Sequence, residues 1–182
     1  PVKETIKEES PGIEFVEVKK EENEVLNSAQ SKLSQIESEL NQLFVERNDV
    51  IKLLLLSLVT GSNSVLLGPP GCGKSMMVYE LTGRIKDANY FQWMMNKTSD
   101  PSEILGPFSV KEMENDRFVR VTKGKIPESN ICFVDEIFKS NAPCLNALLT
   151  LMNEKIFYND GKPFPVPLIS LIGASNEGPE DE

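Results

Sequence analysis

From Leu26 onward the apolar positions fall three and four residues apart, at Leu26, Ala29, Leu33, Ile36, Leu40 and Leu43. That spacing puts one stripe on one face of an α-helix, with Glu37, Glu39 and Gln42 elsewhere. The stripe is short for a coiled coil and suits a helix packing onto its own domain. A second helix is predicted over Asp49 to Thr60, almost wholly apolar and stopped by Gly61. Ser64 to Leu67 then reads as a short buried strand, followed by a Gly/Pro-rich turn and a helix over about 75–86. Tyr90 to Trp93 is strand-like and leads into a polar loop holding Asp100-Pro101 and Gly106-Pro107. Phe108 to Met113 and Phe118 to Val121 flank Glu114-Asn115-Asp116 and predict a small hairpin. Ile131 to Val134 is a continuous apolar strand, Ala142 to Glu154 a helix, and Asn159-Asp160-Gly161 the turn of a second hairpin. Leu168 to Ile172 is the last strand. Strands apolar on both faces, alternating with helices, predict an α/β domain with a mostly parallel sheet.

The ends carry a different pattern. Residues 1–24 are Glu/Lys-rich with a Ser-Pro-Gly break at 10–12, and read as an acidic tail or linker before a core over 25–182. Ile13, Phe15 and Val18 hint at one short strand inside that tail. The net charge of -9 is concentrated at the termini: residues 1–24 carry -4, the last six another -4, and the stretch between them only -1. A near-neutral core gives no basic footprint for a phosphate backbone, so nucleic acid is not an expected partner.

Composition narrows the chemistry further. With 182 residues, 40% of them hydrophobic, the chain suits one globular domain. The absence of histidine excludes a Ser-His-Asp triad and His-ligated zinc or haem. Cys72, Cys132 and Cys144 are too widely spaced for a Cys-x-x-Cys site and read as thiols of a reducing compartment. The longest apolar stretch, Leu53 to Val59, is interrupted by Ser57 and is far too short for a membrane span. No secretory signal opens the chain, and a cytoplasmic location is expected. The chain begins at Pro1, which reads as a fragment or a processed product.

Gly68-Pro69-Pro70-Gly71-Cys72-Gly73-Lys74-Ser75 fits the phosphate-loop pattern G-x-x-x-x-G-K-[ST], between a predicted buried strand and a predicted helix. The glycines let the backbone wrap a polyphosphate and point N–H groups at it, and the following helix adds its positive end. Lys74 is expected to reach the β and γ oxygens and the Ser75 hydroxyl to ligate Mg²⁺. These eight residues and Met76 are the expected nucleotide contacts. Cys72 occupies a variable position and is given no chemical role.

Ile131-Cys132-Phe133-Val134-Asp135-Glu136 is an apolar strand ending in paired acids, 61 residues after Lys74. Carboxylates at the C-terminal end of a parallel strand lie where α/β domains bind ligands. Asp135 is expected to hold Mg²⁺ and Glu136 to act as general base on the attacking water. Asn176, just past the last strand, could orient that water; asparagine is also a common turn residue there.

These three segments resemble the Walker A, Walker B and sensor 1 motifs of AAA+ ATPases. The stretches EILGPFSVKEMENDRFVRVTKGKIPESNICFVDEIFKS and LNALLTLMNEKIFYNDG resemble the MoxR family, especially its RavA-like branch, over roughly residues 43–179. The resemblance implies a P-loop αβα sandwich, with Phe108–Val121 as a hairpin inserted in helix 2 and Ile156–Val166 as a hairpin before sensor 1. It also implies ATP as the nucleotide, with Val45 in the adenine-binding turn Phe44-Val45-Glu46-Arg47. For the whole protein it implies a hexameric homo-oligomeric ring that remodels protein substrates in a chaperone-like way, with a von Willebrand factor A-domain partner. The arginine finger, helical lid and sensor 2 of that family would lie beyond Glu182, so this chain is expected to bind Mg·ATP but to hydrolyse it poorly. A nucleotide-dependent assembly module and a DNA-directed motor of the helix-2-insert group are the alternatives.

Overall fold

The computed structural model of the chain describes residues 14–178. Two helices open it, α1 (Glu14–Leu43) and α2 (Asn48–Thr60), followed by β1 (Ser64–Leu67), α3 (Lys74–Thr82) and β2 (Tyr90–Met94). Two short helices, α4 (Pro101–Leu105) and α5 (Val110–Met113), lead to β3 (Ile131–Asp135). Then come α6 (Ala142–Glu154), β4 (Ile156–Asn159), β5 (Lys162–Pro165) and β6 (Ser170–Ser175). Short 3₁₀ turns precede and follow β3, at Ile126–Glu128 and Ile137–Lys139.

β1, β6, β3 and β2 form an all-parallel sheet in that spatial order. The two inner strands are the most buried, because a parallel sheet is covered on both faces. The two-residue period of β3 divides its side chains between two cores. Ile131 and Phe133 pack with α1, α2 and α3, against Leu40, Ile51, Leu54 and Val78. Cys132 and Val134 pack on the other side with Cys144, Leu148 and Leu151 of α6. This is the α/β domain with a mostly parallel sheet that the hydrophobic pattern predicts, in the αβα layering that the resemblance implies. Among the described residues, no helix is long and apolar enough to cross a membrane.

Four local readings change. Phe15 and Val18 lie within α1, not in a strand, while Ile13 falls outside the described residues. The Glu/Lys-rich stretch after Gly12 is made of good helix formers with no breaker, so the helix starts at Glu14, inside the segment read as a tail. Only the middle of its apolar stripe docks: Leu26 and Leu43 stay 65% and 54% exposed, whereas Leu33, Ile36 and Leu40 pack on the sheet-facing cluster. The last strand runs Ser170–Ser175 rather than Leu168–Ile172. Pairing with β1 sets its end, and Gly173 is there because the 3₁₀ turn after β3 packs onto it. A Cβ at Gly173 would lie 3.0 Å from Ile137 Cδ1.

The third helix stops at Thr82, with Gly83 following, short of the predicted 86. The fourth change concerns the first hairpin, which survives only at its base. Phe108 and Arg120 form an isolated antiparallel bridge, with Ser109 N–H donating to Val119 O and Val121 N–H to Pro107 O, both 2.8 Å. Ser109 caps the helical turn α5 at its tip, which is why Val110–Met113 does not extend as a strand. The second hairpin forms as predicted, Ile156 pairing with Pro165 and Asn159 with Lys162.

Candidate functional site

The C-terminal ends of β1, β3 and β6 open onto one corner of the sheet. Gly68 N–H continues the β1 ladder by donating to Ser175 O at 3.2 Å, and the chain then reverses through Gly71 (φ 78°) and Gly73 (φ 82°). Both need the left-handed region that glycine enters without a Cβ penalty. The loop ends directly on the N-terminus of α3. Among the described residues, no acceptor takes the backbone N–H groups of Gly71 to Met76. Free N–H groups at the positive end of a helix are what a polyphosphate requires, and the residues present fit one.

Lys74 folds back over its own loop. Its ammonium donates to Gly68 O, to Pro69 O at 3.3 Å and to Asn176 Oδ1 at 2.8 Å. Asn176, the first residue after β6, in turn donates from Nδ2 to Glu136 Oε1 at 2.6 Å. Three residues from three strand ends, 40 and 102 positions apart in the chain, are thus hydrogen-bonded in series. Asp135 is half-buried at the end of β3, and its Oδ1 accepts the Glu136 N–H at 3.0 Å. Glu136 adopts φ 52°, an uncommon value for a residue with a side chain, and is 9% exposed. Its Oε2 is buried without a hydrogen-bond donor, although Lys139 Nζ lies 3.2 Å away. Ser75 sits half-buried in the first turn of α3. Ser75 and Asp135 supply two hard oxygen donors, so a Mg²⁺ ion here would take its remaining ligands from phosphate and water.

A groove of about 330 Å³ runs from this loop along α2 and β1, lined by Arg47, Val50, Leu53, Val65, Leu67 and Cys72 among others. An apolar wall next to a row of N–H groups suits a base attached to a polyphosphate. Val45 does not line it and remains 81% exposed; nor does Met76, at 59% exposure. Arg47 belongs to the expected adenine-binding turn, but Val50 and Leu53 were not singled out as nucleotide contacts in the sequence. Their spacing on one side of α2 was the available signal, but it looks the same as ordinary core periodicity. Cys132, on the strand that ends in the acids, is fully buried, and burial pushes its thiol up to about 12. It is chemically silent.

The two excursions meet away from this corner. Arg117 pairs with Asp160 at 3.1 Å, and Asp160 also accepts the Phe118 N–H at 3.2 Å. Asn159 and Arg120 exchange two hydrogen bonds, at 2.7 and 3.1 Å. The Arg120 guanidinium lies 4.0 Å over the Phe108 ring. Around these ties Val110, Phe118, Tyr158 and Phe164 remain exposed.

Comparison with known proteins follows the same outline. Residues 31–182 match the family described as the MoxR domain in the MoxR-vWA-beta-propeller ternary systems. An uncharacterized protein of Methanocaldococcus jannaschii is 46% identical over 82% of this chain and 40% of its own length. The chaperone MoxR1 of Mycobacterium tuberculosis is 24% identical over 79% of the chain and 37% of its own length. A solved structure from Cytophaga hutchinsonii, described provisionally as an ATPase, superposes with a TM-score of 0.71 at 25% identity, covering 91% of this chain and 49% of that one. The chain therefore spans less than half the length of these relatives.

Proposed function

This chain belongs to the MoxR family of AAA+ ATPases, and we propose that it binds Mg·ATP at the Gly68–Ser75 loop and hydrolyses it with Glu136 as general base. The observation that carries this reading is the hydrogen-bonded series Lys74–Asn176–Glu136 at the ends of three parallel strands. The free N–H groups of Gly71 to Met76 hold the phosphates, and Lys74 leaves Gly68 O and Asn176 to pair with the terminal phosphate oxygens. Ser75 and Asp135 would hold a magnesium ion, which would supply charge neutralisation for the phosphates. Glu136 takes the proton of the attacking water, and Asn176, released from Lys74, orients that water. The groove beside Arg47, Val50 and Leu53 receives the base; the family supplies the preference for adenine. Val45, Met76 and the other expected contacts of the loop belong to this proposal as flanking positions.

For the whole protein we infer chaperone-like remodelling of protein substrates by a cytoplasmic homo-oligomeric, hexameric ring. The family's description in a ternary system with vWA proteins supports a von Willebrand factor A-domain partner. The RavA-like reading of the branch rests on Glu103–Ser140 and Leu145–Gly161. The test is direct. Glu136→Gln is expected to keep ATP affinity and to lose hydrolysis by about a hundredfold or more. Undiminished hydrolysis by that variant would remove Glu136 from the mechanism, and lack of ATP binding by the parent chain would remove the proposal.

A further inference from the structure

Glu136 is an awkward residue for a fold to hold. Its backbone sits in the left-handed region at φ 52°, and its carboxylate is nearly buried. Oε1 is oriented by Asn176 at 2.6 Å, but among the described residues Oε2 has no hydrogen-bond donor. A buried carboxylate oxygen without a donor is costly, so another group must compensate for it. Among the described residues, the cation beside that oxygen is Lys139 Nζ, 3.2 Å away.

Lys139 is placed there by the local backbone. Glu136 caps the 3₁₀ turn Ile137–Lys139, and Lys139 N–H donates to Glu136 O at 2.9 Å. The tight turn brings residue i+3 back over residue i. Ile137 anchors the turn by packing against Gly173 of β6. The Lys139 side chain is 52% exposed and the Glu136 side chain 11%, so the ammonium covers the carboxylate from the solvent side. The 3.2 Å approach without hydrogen-bond alignment describes an electrostatic tether, which restrains the carboxylate while leaving Oε2 open to accept a proton.

We propose that Lys139 is a positioning residue for the hydrolytic base: it holds the Glu136 carboxylate from the Oε2 side while Asn176 holds it from the Oε1 side. The proposal rests on Glu136 acting as the base. Asn176 is shared with Lys74 and loses that partner when the lysine moves to phosphate, whereas among the described residues the Lys139 ammonium pairs with Glu136 alone. It is therefore a restraint on the carboxylate that does not depend on where Lys74 goes. Misplacing a reacting group by about 1 Å can cost up to about a hundredfold in rate.

The experiment compares the parent chain with Lys139→Met and Lys139→Arg, using ATP affinity, single-turnover hydrolysis with enzyme in excess, and the ¹³C carboxyl resonance of Glu136 without nucleotide. Lys139→Met is expected to bind ATP as the parent does, to hydrolyse it about ten- to a hundredfold more slowly, and to shift the Glu136 resonance. Lys139→Arg is expected to restore both readouts in large part. In a Glu136→Gln background, Lys139→Met should cost nothing further, because the group it positions is already gone. An unmoved resonance with an unchanged hydrolysis rate overturns the proposal. So does a loss of equal size in both backgrounds, or a melting temperature that falls in step with activity. If the parent chain binds no ATP, the ATPase reading itself fails; if Glu136→Gln hydrolyses normally, the role of Glu136 fails. Each of these is distinguishable from an uncoupled Lys139.

Discussion

The phosphate corner and the paired excursions are both loop structures built around residues with positive φ, yet they are assembled in opposite ways. At the phosphate corner, eight consecutive residues make the cradle, and Gly71 and Gly73 supply the required backbone values where glycine has no steric cost. In the excursions, Asp116 and Asp160 take positive φ, and the structure is held across 39 to 43 positions, by the Asn159 side chain on the Arg120 backbone and by Arg117 with Asp160. The first region is written locally and left open to a ligand. The second is closed by its own cross-links and offers apolar side chains outward.

The contrast predicts that substitutions in the first region should silence chemistry in an intact fold, and that those in the second should disturb structure. Lys74→Ala is expected to weaken ATP binding by about a hundred- to a thousandfold in a nucleotide titration, with an unchanged urea midpoint. A variant that binds as tightly as the parent would break the phosphate assignment. Gly106→Ala is the counterpart at the base of the first excursion. Gly106 has φ 100°, and a Cβ there would stand 1.9 Å from Val121 O, so the backbone bridge must open. A loss of about 3 kcal/mol in urea unfolding is expected, with little effect on ATP affinity.

Asn176→Ala separates the two regions more finely. It removes the link between Lys74 and Glu136 and should slow hydrolysis about tenfold while ATP still binds. Equal losses in affinity and rate would instead make Asn176 part of the binding surface. Asp160→Ala removes the tie to Arg117, whose side chain is 51% exposed. Exposed pairs contribute under about 1 kcal/mol, so stability should barely change. The expected effect is faster hydrogen exchange at the Phe118 amide, which loses its acceptor.

The smallest effect is a pH dependence outside both regions. Glu39, on α1, is held below the ordinary glutamate range by the hydrogen bond from Gln35 and then by Arg84 of the segment after α3. A depressed carboxylate favours the folded state above its ordinary titration range, and that contribution is lost as pH falls through the depressed value. Hydrogen exchange along α1 should therefore rise on acidification from about pH 5 to about pH 3. Glu39→Gln should flatten that response.

What could be read from the chain alone follows from contact range. The phosphate loop, the acid-ending strand and the parallel sheet were legible because each depends on residues adjacent in sequence, through glycine spacing or continuous apolar runs. The full length of α1 was equally local. Its start was placed too late because the three-and-four apolar spacing begins only at Leu26, whereas helix-forming Glu and Lys carry the helix from Glu14. The end of β6 was not local: Gly173, Ala174 and Ser175 carry no hydrophobic signal, and only pairing with β1 makes them a strand. Nor was the meeting of the two excursions, since Asp160 and Arg117 mark nothing in sequence. The same holds for the corner itself. Sequence named Lys74, Asn176 and Glu136 one by one, but their hydrogen-bonded series, and the ammonium of Lys139 beside the buried carboxylate, exist because a parallel sheet brings the ends of distant strands together.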